Sequence, residues 1–167
     1  MQKQKENDIT RMKRMNQFKK ICIGCDHAAV ELKDKLVVYL KDKNLQIHDM
    51  GTNNPDKSVN YPEFGMRVAL SVVNEAYDCG ILICGTGLGM SMVANRFAGI
   101  RAALCNDIFA AKMSRQHNNA NILVLGGRIL GDVLAKEIVQ TFLETTFDGG
   151  RHADRLNIFD HLGETIN

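Results

Sequence analysis

Gly80-Ile81-Leu82-Ile83-Cys84-Gly85-Thr86-Gly87-Leu88-Gly89-Met90-Ser91 is a short apolar run that breaks into three glycines and a serine where a helical pattern begins. An apolar run of this length fits a strand covered on both faces, as in a parallel sheet. Backbone N–H groups at such a strand-to-helix turn point outward, and together with the helix dipole they favour an anion. A thiol set in the same field is favoured as thiolate. Cys84 is therefore a candidate base or nucleophile beside a cradle for negative charge. The pairing predicts an enzyme that acts on an anionic substrate or stabilises an anionic intermediate.

On either side of this stretch, apolar runs alternate with helical patterns. Further strands are expected at Lys20–Cys25, Leu45–Met50, Ile100–Cys105 and Asn121–Leu125, beside Gly80–Cys84 itself. Helices are expected at Ala29–Lys43, with Leu32, Leu36, Tyr39 and Leu40 on one face, and at Pro62–Glu75, with proline at the first helical position. Others are expected at Gly89–Phe97, at Asp107–Gln116 behind an N-cap type residue, and at Gly131–Phe147. Five such strand–helix units imply an α/β protein, a three-layer αβα Rossmann-like fold around a mostly parallel five-stranded sheet. One domain is expected over residues 18–167, preceded by a basic, disordered arm at 1–17.

The formal charge of +2 hides an uneven distribution. Residues 1–20 carry +5 and the remainder −3, so the folded body is mildly acidic and a nucleic-acid role finds little support. The arm carries three lysines against two arginines, lacks serine and holds two acids, unlike a transit peptide, and Met12 and Met15 offer alternative starts. No apolar run approaches the roughly 20 residues that span a bilayer, so no membrane partner is expected. The five cysteines (22, 25, 79, 84, 105) are an odd number set in or beside apolar runs, which predicts free thiols and a cytoplasmic protein. Cys22-Ile-Gly-Cys25 has redox or zinc spacing, but on a strand these positions face opposite ways, and no second pair completes a zinc site. They are read as core.

In parallel sheets ligands bind outside the C-terminal ends of the strands, so chemistry-bearing residues are expected to gather there. Asp26-His27 follows the first strand, the glycine loop the third, and Gly126-Gly127-Arg128 the fifth. Arg115-Gln116-His117-Asn118-Asn119 ends the fourth helix, and Gly149-Gly150-Arg151-His152-Ala153-Asp154-Arg155 follows the last long one. Each has a plain alternative. Asp26 can cap a helix, His27 and His152 can be surface residues, His117 with Asn118 can form a C-cap, and Arg151 with Arg155 can pair with acids. His48 and His161 are read as structural. The loop also invites a dinucleotide reading, with Asp107 after the next strand. The third fingerprint position is however Met90, with its glycine one residue early at Gly89. No Gly-Lys-Ser/Thr follows for a P-loop.

Gly24-Cys25-Asp26-His27-Ala28, the loop through Gly89, Ser114-Arg115-Gln116-His117-Asn118 and Gly149-Gly150-Arg151-His152 occur in this order. Together they resemble the type B ribose-5-phosphate isomerases, within the sugar-phosphate isomerase family that includes galactose-6-phosphate isomerase. The resemblance covers residues 18 to 160. It implies cofactor- and metal-free interconversion of ribose 5-phosphate and ribulose 5-phosphate through a cis-enediolate, in the non-oxidative pentose phosphate pathway. It makes Cys84 the general base, with the amides of Gly85, Thr86, Gly87, Leu88 and Gly89 as the anion hole and Thr86 steering protons between oxygens. It makes His117 the ring-opening acid and Asp26 the acceptor of the anomeric proton. Asn118 holds a sugar hydroxyl, and Arg128, Arg151 and Arg155, with His27 nearby, receive the phosphate. The resemblance further implies a homodimer with the site between subunits, pairing of dimers into a tetramer being left open. Allose or galactose 6-phosphate is the alternative substrate. From other classes, a nucleotide-binding oxidoreductase or a non-catalytic ligand-binding module is the rival.

Overall fold

The computed structural model describes residues 18–160. Strands β1 (Lys20–Cys25), β2 (Gln46–Asp49), β3 (Cys79–Cys84), β4 (Ala102–Leu104) and β5 (Ile122–Gly126) make one parallel sheet in the order β2-β1-β3-β5-β4. The helices are α1 (Val30–Lys41), entered through a 3-10 turn at His27–Ala29, then α2 (Tyr61–Val73) and α3 (Leu88–Ala94). They continue with α4 (Ile108–Gln116), α5 (Asp132–Glu144) and α6 (Arg151–Asp160). The expected three-layer Rossmann-like α/β arrangement is thus present, with the sheet wholly parallel.

Most boundaries shift from expectation by one to three residues, and three of the shifts have a visible cause. Pro62 is the second helical residue of α2 and not the first, because Tyr61 already has helical geometry behind Asn60. Helix α3 stops at Ala94, where Asn95 turns its side chain to the edge strand, and α5 stops at Glu144, where Thr145 goes extended (ψ 127°). The predicted arm at 1–17, the alternative starts Met12 and Met15, and His161 lie outside the described residues. Among the described residues no helix is long and apolar enough to cross a membrane.

Strand period explains the layers. Ile21, Ile23, Ile81, Ile83, Leu123 and Leu125 face α1 and α5, where they meet Leu36, Leu40, Ile138 and Phe142. Their neighbours Cys22, Leu82, Ile122 and Val124 face α2 and α3, meeting Val68, Val72 and Met90. The Cys22/Cys25 pair is divided between these two cores, so it is neither a disulfide nor a metal clip, and all five thiols are free and buried. Edge strand β4 is protected by Asn95, whose Oδ1 accepts from the Ala102 amide (2.8 Å) and whose Nδ2 donates to its carbonyl (2.9 Å). One side chain thus satisfies both groups that a further strand would claim.

The chain leaves β1 for β2 on one side and then adds β3 on the other. At such a switch point the strand ends flank a crevice, and here those ends are Cys25 and Cys84. The β2 side of the crevice is held by Lys33, which is 0% exposed. Its Nζ donates to Asp49 Oδ2 (2.6 Å), Asn53 Oδ1 (2.6 Å) and the Thr52 carbonyl (3.3 Å), pinning the loop after β2. Burial pulls this ammonium down, but the hydrogen bonds it donates to Asp49 and Asp34 outweigh that and hold the pKa above the ordinary lysine value. Replacing Lys33 with Met keeps the buried stem and takes the donor from Asp49 Oδ2 and Asn53 Oδ1, while Asp49 Oδ1 keeps the Gly51 amide. Breaking a buried pair from one side costs about 2–4 kcal/mol where the partner keeps some water. Urea denaturation is expected to show that loss as a lower midpoint at unchanged slope.

Candidate active site

At the C-terminal edge of the sheet, three strand ends are stitched together. The Asp26 amide donates to the Ile83 carbonyl (3.2 Å), the Gly127 amide to the Cys84 carbonyl (2.8 Å), and the Arg128 amide to the Gly85 carbonyl (3.0 Å). Asp26, His27, Cys84 and Arg128 are brought to one crevice by these contacts. Cys84 ends β3 at 6% exposure, and its Sγ accepts from the Gly87 amide at 3.2 Å. That bond requires the chain to double back, which Gly87 does at φ +80° against the Leu125 backbone. Gly89 is needed for a different reason, since a Cβ there would lie 2.7 Å from the Tyr61 ring. Thr86 is exposed, and its Oγ1 accepts from the Leu88 amide (3.3 Å).

Asp26 is 7% exposed and caps the 3-10 turn, its Oδ1 accepting from the Ala28 amide (3.0 Å). The other carboxylate oxygen is not used by that cap. His27 Nδ1 accepts from the Val59 amide (3.4 Å), so its proton is assigned to Nε2. The Asp107 carboxylate caps α4 through the Ala110 amide (2.7 Å), and Met90 is fully buried at the third fingerprint position. Neither residue is free to serve the dinucleotide reading.

A second group lies elsewhere. His117 is the C-cap of α4, and Asn118 follows it. The His117 ring stacks on that of His152 at 4.2 Å and 5°. Burial, with the charges of His117, Arg151 and Arg155 beside it, pulls His152 below the ordinary histidine pKa. Asn95, Arg101, His117, Asn118, His152 and Arg155 contribute to the lining of an open cleft of about 810 Å³. Arg115 supports this end from within. Its guanidinium donates to Asn119 Oδ1 (3.0 Å) and the Ala120 carbonyl, and lies 4.9 Å from the Phe18 ring. Arg115 is therefore a brace behind His117.

The expectation that all these residues gather after the strands fails within one chain. Helices between parallel strands run backwards, so α4 ends at the edge where β5 begins. Between Asn118 and Cys84 lies the five-residue length of β5, about 16 Å at ~3.3 Å per residue. His117, Asn118, Arg151 and Arg155 thus gather at one edge, and Asp26, His27, the 84–89 loop and Arg128 at the opposite one. Two further residues that the sequence reading passed over are Lys33, hidden in an amphipathic helix as an ordinary charge, and Asp148, whose amide donates to the Gln116 carbonyl (3.0 Å) beside His117.

A parallel sheet with a thiol in a glycine turn at its switch point defines an α/β Rossmann-like protein with a ligand crevice at that turn, and the comparisons narrow the class. The family model for ribose/galactose isomerase matches residues 21–159. Ribose-5-phosphate isomerase B of Escherichia coli is 45% identical over 150 residues, which are 90% of this chain and 100% of that one. D-erythrulose-4-phosphate isomerase of Pectobacterium atrosepticum is 38% identical, over 84% of this chain and 95% of its own. Among solved structures, Clostridium thermocellum ribose-5-phosphate isomerase B superposes with a TM-score of 0.86 at 46% identity, covering 89% of this chain and 99% of that one. The chain belongs to the ribose/galactose isomerase family, and it is a sugar-phosphate isomerase.

The five thiols differ in access. Burial pushes Cys22 and Cys25 up to about 12, Cys105 to about 11, and Cys79 well above the usual thiol range. Those four are at most 1% exposed, against 6% for Cys84. Iodoacetamide at about pH 8 is therefore expected to modify Cys84 first, since alkylation needs thiolate and access. Peptide mass mapping reads the order, and equal labelling of a core cysteine would overturn it.

Proposed function

We propose that the protein interconverts ribose 5-phosphate and ribulose 5-phosphate through a cis-enediolate, as part of the non-oxidative pentose phosphate branch. The observation that carries the reading is Cys84, whose sulfur accepts the Gly87 amide at the end of a buried strand beside Asp26. A thiolate so held has a fixed orientation and an N–H that stabilises its charge. The loop amides do not all share one task. Those of Gly87 and Leu88 serve Cys84 and Thr86, so the developing oxyanion falls to Gly85, Thr86 and Gly89.

The steps balance without any cofactor. His117 gives a proton to the ring oxygen while Asp26 takes one from the anomeric hydroxyl, opening the sugar. The Cys84 thiolate removes the C2 proton, and the electron pair moves to the C1 oxygen as an enediolate, the charge expected to be met by the loop amides. Thr86 passes a proton between the two oxygens, and Cys84 returns its proton to C1. Asn118 holds a hydroxyl. Arg128, Arg151 and Arg155, with His27, hold the phosphate, for which guanidinium offers paired donors. The relatives' names span pentose and tetrose phosphates. The length of sugar accepted is therefore a question for assay, not for family membership.

Because the two half-sites lie at opposite edges of one chain, the proposal requires a second copy. A two-fold partner that sets the His117 edge of one subunit against the Cys84 edge of the other completes two equal sites. An apolar stripe supports such a contact. Met66, Leu70 and Val73 follow one face of α2 and are 45%, 41% and 41% exposed, with Met92 of α3 at 66%. The five reduced thiols support a cytoplasmic setting.

The direct test is turnover of ribose 5-phosphate, run beside allose, galactose and erythrulose phosphates. Cys84→Ala is expected to cut kcat by about 10²–10⁴-fold with KM little changed, as for loss of a general base. Retained turnover would remove Cys84 from its role, and activity on another sugar phosphate alone would change the substrate. Arg155→Ala is expected to raise KM, and an unchanged KM would point to a structural arginine. Mixing inactive Cys84→Ala with inactive His117→Ala, after subunit exchange, is expected to restore about a quarter of wild-type activity, since half the dimers then carry one intact site. No recovery after proven exchange would place each site within one chain.

A further inference from the structure

We propose that His117, Asp148 and His152 form a site for a borderline transition ion, of which zinc is the test case, and that its occupancy switches the isomerase off. The one ligand atom each residue offers lies within 4.8 Å of the other two. The site is assembled from three positions. His117 caps α4, Asp148 lies in the link between α5 and α6, and His152 stands in the first turn of α6.

Two backbone bonds fix the frame. The Asp148 amide donates to the Gln116 carbonyl (3.0 Å), and the His152 amide to the Gly149 carbonyl (3.1 Å). His152 is 9% exposed, so its ring is held by packing, while Asp148 is exposed and free to turn. Zinc–ligand bonds of about 2.0–2.2 Å put tetrahedral neighbours roughly 3.4 Å apart, so closing the shell asks for side-chain rotations of about an ångström. The stacked imidazoles, 4.2 Å apart, must splay so that their lone pairs converge. Two imidazoles and one carboxylate suit zinc, nickel or copper, not magnesium or calcium. Three protein ligands leave a fourth position open to the 810 Å³ cleft. Arg151 and Arg155 beside His152 oppose any cation, which limits the site to moderate affinity and to ions that bind imidazole strongly.

Inhibition rests on the reading of His117 as the ring-opening acid, whereas binding does not. A ring nitrogen bonded to a metal has no proton to give, and the ion also stands where the sugar would. No loss of activity on chelation is expected, because the reaction uses no metal.

Zinc binding is measured by competition with a chromophoric chelator, on full-length protein whose fold is checked by circular dichroism. Wild type and Cys84→Ser are each expected to bind one ion per chain with the same affinity, which separates the site from the reactive thiol. Since loss of a mere outer-shell partner costs about 10–100-fold, Asp148→Asn and His152→Ala should each weaken binding tenfold or more. Added zinc should lower wild-type turnover with the binding midpoint, EDTA should restore it, and Asp148→Asn should need about tenfold more zinc. Unchanged binding in either ligand variant, or binding lost in Cys84→Ser, would overturn the site. Binding as expected without inhibition would keep the metal site and remove His117 from ring opening.

Discussion

A parallel sheet has a polarity that no side chain can alter. Every strand ends at one edge, and every returning helix ends at the other. In this chain that constraint puts the thiol and the stacked histidines on opposite edges, with β5 between them. The division does not come from a loop conformation that closure could reverse, because the sheet between the edges is buried on both faces in β1, β3 and β5. Side-chain rotation moves a ring by a few ångströms, far short of a strand's length. Either the two groups serve different purposes or a second copy unites them. The second alternative uses every residue type that enediolate chemistry calls for, and the first leaves each edge with half a mechanism.

What holds each edge in shape is a buried cation. At one, Lys33 gathers Asp49, Thr52 and Asn53 beside Cys25 and so fixes the wall next to Asp26. At the other, Arg115 gathers Asn119, Ala120 and Thr145 and so fixes the turn that carries His117. Both cations are nearly without solvent, at 0% and 5% exposure. A buried charge that loses a partner is expensive, so these contacts tolerate little sliding. They act on position and not on reactivity. Rigid elements with such supports are where a reacting group is best carried, since small displacements cost large factors in rate.

Much of this was legible in the chain. The run into Cys84 announced a strand buried on both faces, because parallel strands show continuous apolar character and not alternation. The glycine turn was legible because Gly87 stands at positive φ against the Leu125 backbone, where a Cβ does not fit, and a Cβ at Gly89 would push the Tyr61 ring aside. Edge strand β2 was legible only in part, being four residues with one half-buried position. The resemblance implied a site between two subunits, but which residues lie at which edge was not legible, although the cause was present in the order of strands and helices. Chain order does not say at which edge a residue lies until each helix is given a direction. Asp148 escaped for another reason: a lone acid before Gly149-Gly150 looks like a turn residue until α6 folds back and sets His152 beside it.

The same geometry explains why a half-site can have a second use. Donors that pass protons near neutral pH, imidazole and carboxylate, are also donors to transition ions, and preorganising them for one purpose preorganises them for the other. Among the described residues no such cluster forms at the Cys84 edge. At the His117 edge the rings lie face to face with a free carboxylate beside them, within a cleft open to solvent. On the proposed mechanism a metal ion and a sugar compete for the edge that carries His117, while the ion's three ligands all lie away from Cys84. By the same mechanism the ion both ties up the His117 imidazole and stands in the sugar's way, so it blocks cyclic and open sugar alike.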